Sequence, residues 1–285
     1  MSRSLLFDKY EGIGNDFIVV DAEDAHVVMP DLAVKLCDRR FGVGADGVIL
    51  VLPPQTSSHA ARMRVLNADG SVPEMCGNGI RCVALHVART KPRARDEQGA
   101  MYETDAGVRT CRVEPAGANA PLDVVAAAVT VDMGAVRVLG ERRLSLEGEE
   151  SEWSPMDLIE VDVGNPHAVS LRKPSRADIE RIGPRFAAHA AFGKGANIGF
   201  ASIKDGNFID LVVWERGAGL TLACGTGACA AVAAACWKGL IAWGTSVTVK
   251  LPGGHLAIAV EDDGGHARMR GPARHVFSGR VDVTE

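Results

Sequence analysis

The tetrapeptide Cys76-Gly77-Asn78-Gly79 recurs 148 residues later as Cys224-Gly225-Thr226-Gly227. Each copy precedes an apolar run that is typical of a helix, Ile80–Ala88 in the first and Ala228–Trp237 in the second. The start of a helix leaves main-chain N–H groups unpaired and carries partial positive charge. A cysteine at such a start is expected to have a lowered pKa, as reactive thiols do. Two matched thiols indicate chemistry with two equivalent faces.

The repetition extends beyond the two cysteines. Further matched stretches are Gly14-Asn15 with Gly164-Asn165, and Phe41–Asp46 with Phe192–Asn197. Nine residues before each motif cysteine stands a polar residue, Asn67 in one half and Glu215 in the other. Because these landmarks recur in the same order at nearly constant spacing, we predict two homologous domains. The segment Gly117–Pro121 and the strand that follows it, Leu122–Asp132, mark the boundary, which gives halves at residues 1–127 and 128–273.

Segments rich in β-forming residues dominate the chain, and few helices lie among them. Strands are predicted at Leu5–Tyr10, Phe17–Asp21, Val48–Leu52, Arg62–Leu66, Val124–Val131, Ile159–Val163, Phe208–Val213, Ser246–Leu251 and Leu256–Val260. Helices are predicted at Leu32–Arg39, opened by Pro30-Asp31, and at Ala177–Ile182, capped by Ser175. The two motif helices are apolar nearly all round, so each should be buried on every side. We therefore predict an α+β fold of two pseudo-symmetric domains, each a barrel-like, mostly antiparallel sheet wrapped around a central buried helix.

The bulk properties exclude several classes of protein. A chain of 285 residues can hold two ordinary domains. Its net charge of −5 argues against a nucleic-acid or anionic-membrane surface, and the basic cluster Lys91, Arg93 and Arg95 is read as a solvated loop. No apolar run reaches the ~20 residues of a membrane span, and no signal-peptide core is found at the N-terminus. The seven cysteines are expected to be free thiols of an intracellular protein.

Cofactor and metal motifs are absent from the sequence. The spacings from Cys76 to Cys82 and from Cys224 to Cys229 differ from the Cys-x2-Cys pairs of zinc sites. The stretch Gly42–Gly47 matches G-x-G-x-x-G but is followed by a strand-like run, so it is interpreted as a turn between a helix and a strand. No lysine stands out as a Schiff-base candidate. We therefore expect neither a cofactor nor a metal.

Two thiols that flank one carbon atom can invert its configuration. If the halves face each other across a cleft, both helix starts can hold one substrate carboxylate. A thiolate on one face removes a proton and a thiol on the other face returns one, which is racemisation or epimerisation. Cys76 and Cys224 are the candidates, whereas the other cysteines are interpreted as structural. The position of His167, two residues after Asn165, does not by itself decide its role, and Glu215-Arg216 fits either a zwitterion site or a surface ion pair.

Several motifs together resemble the diaminopimelate epimerase family across nearly the whole chain. They are Gly12–Phe17, Asn67–Ser71, Cys76–Cys82, Gly164–His167, Asn197–Phe200, Glu215–Gly217 and Ala223–Gly227. The resemblance implies a cytoplasmic, pyridoxal-independent isomerase that interconverts LL- and meso-2,6-diaminopimelate on the way to lysine and peptidoglycan. It also implies that a last strand, residues 274–285, returns to the first domain, and that the protein is a homodimer without nucleic-acid or membrane partners.

The resemblance assigns roles to individual residues. Cys76 and Cys224 would be the acid–base pair, with His167 and Glu215 tuning the catalytic site. Substrate contacts would come from Asn15, Asn67, Gly77, Asn78, Asn165, Asn197, Glu215, Arg216, Gly225 and Thr226. The chain departs from the family at Gly47, where some members carry Gln, and at Leu220, where a polar residue is often found.

Two alternatives stay open at the level of sequence. The first is a cofactor-independent racemase of proline, hydroxyproline or histidine on the same fold. Against proline stands Asn78, because proline racemases usually carry His after the first Cys-Gly. The second alternative is a thiol redox sensor or an amino-acid binding protein, which would leave stereochemistry unchanged.

Overall fold

The structure is a computed structural model that describes residues 2–73, 76–91, 99–115 and 126–284. The chain divides into two compact units, one formed by Met1–Val131 with Arg270–Glu285 and the other by Asp132–Met269. The domain limits drawn from the sequence stay a prediction. The Gly117–Pro121 segment that suggested them lies outside the described residues, as do Arg93 and Arg95 of the basic cluster.

In its described residues the first unit is a sheet with two α-helices. Its elements are β1 (Ser2–Gly12), β2 (Asn15–Asp21), α1 (Pro30–Cys37), β3 (Gly47–Leu52), β4 (Ala61–Asn67), α2 (Gly77–Thr90), β5 (Ala100–Thr104), β6 (Gly107–Pro115), most of β7 (Ala126–Ala135) and most of β16 (His266–Thr284). The strand order is β16-β1-β2-β3-β4-β5-β6-β7. Pairing is parallel at β2/β3 and β4/β5. The β16/β1, β1/β2, β3/β4, β5/β6 and β6/β7 pairs are antiparallel.

The second unit repeats this plan. Its elements are β8 (Arg137–Leu144), β9 (Met156–Asp162), β10 (Pro166–Ser170), α3 (Arg176–Ala187), β11 (Asn197–Asp205), β12 (Phe208–Glu215), β13 (Gly219–Leu220), α4 (Gly225–Trp237), β14 (Val247–Leu251), β15 (Gly254–Val260) and the start of β16. The order is β8-β9-β10-β11-β12-β14-β15-β16, with parallel pairs at β10/β11 and β12/β14. The parallel pairs therefore fall at matched places, and the predicted α+β fold with mostly antiparallel sheets is confirmed.

Each unit encloses one helix. The predicted burial of α4 is confirmed, because every residue from Gly225 to Cys236 is buried. Helix α2 is buried from Gly77 to Ala88, but the prediction that it is apolar nearly all round is wrong. Arg81 and His86 are both fully buried on it. The His86 ring contacts the Asp21 carboxylate at 2.8 Å, so a polar partner from β2 compensates its burial.

Most local predictions agree with the structure. Helix α1 begins at Pro30, and α3 begins after Ser175, whose hydroxyl accepts from the N–H of Asp178 at 3.2 Å. The predicted strands are present, although the first residues of Val124–Val131 lie outside the described part. No range was predicted for β5, β6, β8, β10, β11 or the two-residue β13. In the described residues, no helix is long and apolar enough to cross a membrane.

Overpacking the enclosed helix tests this architecture. Ala231 is fully buried on α4, so Ala231→Leu should lower the free energy of unfolding by about 1–3 kcal/mol, measured by urea denaturation. Ala177→Leu makes the same change at an exposed position of α3 and should stay within about 0.5 kcal/mol of the parent chain. Equal losses in the two variants would contradict the enclosure of α4.

Candidate active site

Both motif cysteines cap their helices in the same way. Cys76 precedes α2 with φ −132°, and Cys224 precedes α4 with φ −131°. The Cys76 sulfur accepts from the N–H of Gly79 at 3.3 Å. The Cys224 sulfur accepts from the N–H of Gly227 at 3.4 Å. The predicted placement of both thiols at helix starts is confirmed.

The second glycine of each motif leaves space for the thiol. A Cβ atom on Gly79 would lie 2.9 Å from the Cys76 sulfur, and one on Gly227 would lie 3.1 Å from the Cys224 sulfur. The Gly227 Cβ would also approach a methyl group of Val213 to 2.9 Å. Such distances are closer than side-chain carbons normally come, so each thiol depends on the glycine three residues later.

The surroundings of Cys224 favour its protonated form. Cys224 is 4% exposed, and burial, followed by the nearby Glu215 carboxylate, raises the pKa of the thiol well above its usual value. Its sulfur lies 3.6 Å from the Thr226 hydroxyl. The lowered pKa expected for Cys224 is therefore wrong, because burial and a negative neighbour outweigh the helix start.

Glu215 stands at the end of β12 and connects Cys224 to the following turn. Burial raises the pKa of its carboxyl group, while hydrogen bonds from Thr221 and Cys224 act in the opposite direction. The Thr221 hydroxyl donates to Oε1 of Glu215. The structure therefore brings Glu215, Cys224 and Thr226 together within the second unit.

A second cluster in this unit joins His167, Asn165, Asn197 and Arg216. Nε2 of His167 donates to Oδ1 of Asn165 at 3.0 Å. His167 also pairs with Asn197 across β10/β11. Oδ1 of Asn197 accepts from the main-chain N–H of Arg216 at 2.8 Å, which fixes the turn where the exposed Arg216 side chain begins.

His167 is held in its neutral form. The residue is 2% exposed, and burial, followed by the positive charge of Arg216, lowers the pKa of the ring to about 3. Because Nε2 donates to Asn165, Nδ1 carries the lone pair. In the described part of the chain this buried Nδ1 has no hydrogen-bond partner. A neutral imidazole of this kind can orient Asn165 without adding charge.

In the first unit the helix start is tied to Asn15. The Asn78 amide donates to Oδ1 of Asn15 at 3.3 Å, and the Asn15 amide donates to Oδ2 of Asp46 at 2.8 Å. Arg39 contacts both Asp46 and Asp16, at 2.7 and 2.6 Å. Asp46 was not among the predicted site residues. Its place opposite Asn197 in the repeated stretch was the signal that could have identified it.

The remaining predicted residues lie close to these helix starts in sequence. Gly77, Gly225 and Thr226 belong to the first turns of α2 and α4. Asn67 ends β4, pairs with Gly47 across the sheet and donates its amide to the Ser71 hydroxyl at 3.0 Å. A Cβ on Gly47 would lie 2.8 Å from the Leu66 carbonyl oxygen, so this backbone leaves no space for a side chain there.

The described residues lack the ligand clusters that bind metal ions. Among residues 2–73, 76–91, 99–115 and 126–284, no three His, Cys, Asp or Glu side chains cluster as metal ligands would. The groups that the structure does assemble are thiols, amides, one partly buried carboxyl group and helix N–H groups. They are suited to binding carboxylates and moving protons.

The fold occurs in solved structures of amino-acid epimerases. A hydroxyproline epimerase from Agrobacterium vitis with bound trans-4-OH-L-proline matches with a TM-score of 0.70 at 15% identity. The match covers 98% of this chain and 91% of that chain. At this level of identity the likeness shows the fold alone.

Sequence comparison gives the family. A family model described as Diaminopimelate epimerase matches residues 7–139 and 159–276. A diaminopimelate epimerase of Gloeothece citriformis (strain PCC 7424) is 41% identical, with 97% of this chain and 99% of the relative covered. That of Synechococcus sp. (strain JA-3-3Ab) is 42% identical, with 98% and 99% covered. The chain belongs to the diaminopimelate epimerase family, as its motifs predicted.

The buried His167 predicts a specific response to acid. Its folded-state pKa of about 3 lies below the ordinary value of 6.5, so between these pH values the unfolded chain binds a proton that the folded chain excludes. Stability should therefore fall as the pH is lowered, by about 1.4 kcal/mol for each unit attributable to this ring. His167→Gln should remove that part of the slope in urea unfolding measured at several pH values.

His26→Gln is the control, because the His26 ring is 82% exposed and its removal leaves the buried site unchanged. The slope of this control should match that of the parent chain. An unchanged slope in His167→Gln would contradict the buried neutral imidazole.

Proposed function

We propose that this chain interconverts LL- and meso-2,6-diaminopimelate without pyridoxal phosphate, in the synthesis of lysine and of peptidoglycan precursors. The observation that carries the proposal is the pair of cysteines that cap two enclosed helices with matched geometry. Relatives that are 41–42% identical over nearly the full length are named diaminopimelate epimerases. The reaction is an isomerisation, and the chain is an isomerase.

The two thiols serve as the acid–base pair of this proposal. A thiolate removes the α-proton from one face of the substrate, and the other thiol delivers a proton to the opposite face. The roles exchange when the reaction runs in reverse. The raised pKa of Cys224 supports an acid role, since a protonated thiol is the form that can donate.

The carbanion formed between these steps needs stabilisation. Helix α2 begins with Gly77-Asn78, and α4 begins with Gly225-Thr226. The main-chain N–H groups of these residues are suited to hold the reacting carboxylate. Such fixed dipoles stabilise developing negative charge because they need little reorganisation during the reaction. In this role they take the place of an electron-withdrawing cofactor.

The polar side chains around the helix starts serve as the substrate contacts. Asn15 and Asn165 are held by Asp46 and His167, so their amides are oriented before any ligand binds. Asn67, Asn197 and Arg216 are proposed to hold the distal amino-acid end of diaminopimelate. Glu215 and His167 act on the thiol and on Asn165 respectively.

The enzyme is further proposed to be a cytoplasmic homodimer, as the resemblance to its family implies. Size-exclusion chromatography with light scattering tests the assembly. The assignment of substrate is tested by incubating the purified chain with LL-diaminopimelate and following the stereoisomers by chiral chromatography. Faster inversion of proline, hydroxyproline or histidine would contradict the substrate while leaving the two-thiol chemistry intact, and no inversion at all would favour a binding or redox protein.

Replacement of either thiol tests the two-base mechanism. In deuterated water the parent chain should place solvent deuterium at the α-carbon of each inverted product, while early unreacted substrate stays protiated. Cys76→Ala and Cys224→Ala should each abolish epimerisation, because one face then lacks its proton carrier. Cys236→Ala removes a buried thiol near the end of α4 and should retain activity. The mechanism fails if either active-site variant turns over at a near-parental rate.

Replacement of Arg216 tests how the distal end is recognised. A guanidinium binds a carboxylate through two parallel hydrogen bonds that Lys does not reproduce. Loss of a desolvated charge pair costs about 2–5 kcal/mol, so Arg216→Lys should lower kcat/KM for diaminopimelate at least ~30-fold, and Arg216→Ala further. Arg172→Lys alters an exposed pair with Glu152 and should have little effect. A parental kcat/KM in Arg216→Ala would rule out this role.

A further inference from the structure

A buried guanidinium lies beside the first turn of α2. Arg81 is fully buried, and its side chain runs back toward the helix start, as long side chains on helices do. Its Nη1 donates to the Gly77 carbonyl at 3.4 Å, and its Nε donates to the Pro272 carbonyl on β16 at 3.1 Å. The positive charge is thus fixed against the turn that Cys76 caps.

The backbone around this guanidinium packs closely against it. A Cβ on Gly12, at the end of β1, would lie 2.9 Å from Nη2 of Arg81 and 3.4 Å from the Pro272 carbonyl oxygen. Three elements, β1, α2 and β16, therefore enclose the group. Because an enclosed cation is costly unless negative charge lies near it, the groups that face it determine what the charge does.

Several titratable groups face Arg81. Burial lowers the pKa of its guanidinium. Cys82 on α2, Cys76 at the N-cap of α2, Glu11 on β1 and Cys111 on β6 act in the opposite direction. Glu11 also bonds Arg274 at 2.9 Å. Cys82 is fully buried, and burial raises the pKa of its thiol well above the usual range. Of these three thiols, Cys82 and Cys111 are buried and Cys76 is only partly buried, so a negative charge on Cys76 would keep part of its hydration.

The two units differ in charge at matched positions. The repeat places Cys229 where Arg81 stands, and Asn67 where Glu215 stands. The Cys76 thiol therefore has a cation on its own helix and a neutral amide at the end of the preceding strand. The Cys224 thiol has a carboxyl group at the end of β12 and a neutral, fully buried Cys229 on its helix. The two thiols thus occupy equivalent backbone positions, but a positive group lies near Cys76 and a carboxyl group lies near Cys224.

We propose that Arg81 is a positioning residue that holds Cys76 as the thiolate of the resting protein, while Glu215 keeps the proton on Cys224. This inference rests on the proposed function for its catalytic meaning, since it makes Cys76 the first base. The stereoisomer that presents its α-hydrogen to Cys76 is then the one that the resting enzyme accepts directly. The other isomer requires the proton to move first.

Site-resolved alkylation tests the proposal without turnover. The full chain is treated with iodoacetamide over a series of pH values, and the modification of each cysteine is quantified by peptide mass spectrometry. In the parent chain the titration midpoint of Cys76 should lie below that of Cys224. Arg81→Gln, which keeps a donor for the two carbonyls but no charge, should raise the Cys76 midpoint by about 1–3 pH units.

Matched variants separate charge from structure. Arg81→Lys keeps a positive charge and should hold the Cys76 midpoint close to the parental value. Arg89→Met removes an arginine from the last turn of α2, where it bonds the Tyr10 hydroxyl at 2.6 Å, and should leave the midpoint unchanged. Arg81→Met supplies a second neutral variant if the Gln variant does not fold, and circular dichroism monitors folding.

The proposal is overturned if neutral variants at Arg81 leave the Cys76 midpoint unchanged, or if Cys224 titrates at or below Cys76 in the parent chain. The second comparison needs no variant, so it decides the charge asymmetry even when every substitution unfolds the protein. Because alkylation needs no substrate, a failed diaminopimelate assay would leave this inference standing. A failed alkylation test would likewise leave epimerisation intact.

Discussion

The rest of the structure depends on how a helix that is enclosed by a sheet satisfies its first N–H groups. Water caps helix starts at a protein surface, but the starts of α2 and α4 are buried. In both units a cysteine sulfur accepts one of these N–H groups, and a glycine three residues later leaves it space. The same contact orients the thiol and leaves neighbouring N–H groups suited to a carboxylate. One hydrogen bond in each unit therefore both caps the buried helix start and orients the thiol.

The two units have the same strand topology, but the polar side chains around their helix starts differ. Strand order and the positions of the parallel pairs are the same in both units, so the ends of matched strands lie at equivalent places. The side chains themselves have diverged. Asn15 is held by a carboxylate, whereas Asn165 is held by a neutral imidazole. A reaction that uses one proton donor and one proton acceptor benefits from such divergence, since two identical sites would share the proton equally.

The sequence was sufficient for the repeat, the capped helices and the strands with long β-branched runs, such as Val48–Leu52. It did not predict β8, because its residues Arg137–Leu144 lack a regular alternation of charged and apolar side chains and the strand is mostly exposed. The burial of Arg81 was not predictable either, because its acceptor on Pro272 is 191 residues away. The pKa of Cys224 was predicted in the wrong direction, because the sequence places a thiol at a helix start but does not show how deeply the sheet buries it.

Strand β16 pairs with β1, although the two strands are far apart in the sequence. This pairing affects the order in which the units can fold during synthesis. The pairing runs from Ser2 with Thr284 to Glu11 with Arg274, and β16 supplies the Pro272 carbonyl that receives Arg81. The unit that contains most of the N-terminal half therefore lacks an edge of its sheet until residues 274–284 have left the ribosome. The second unit, formed by Asp132–Met269, has all its residues earlier. Translation from the N-terminus thus allows the later-encoded unit to fold first.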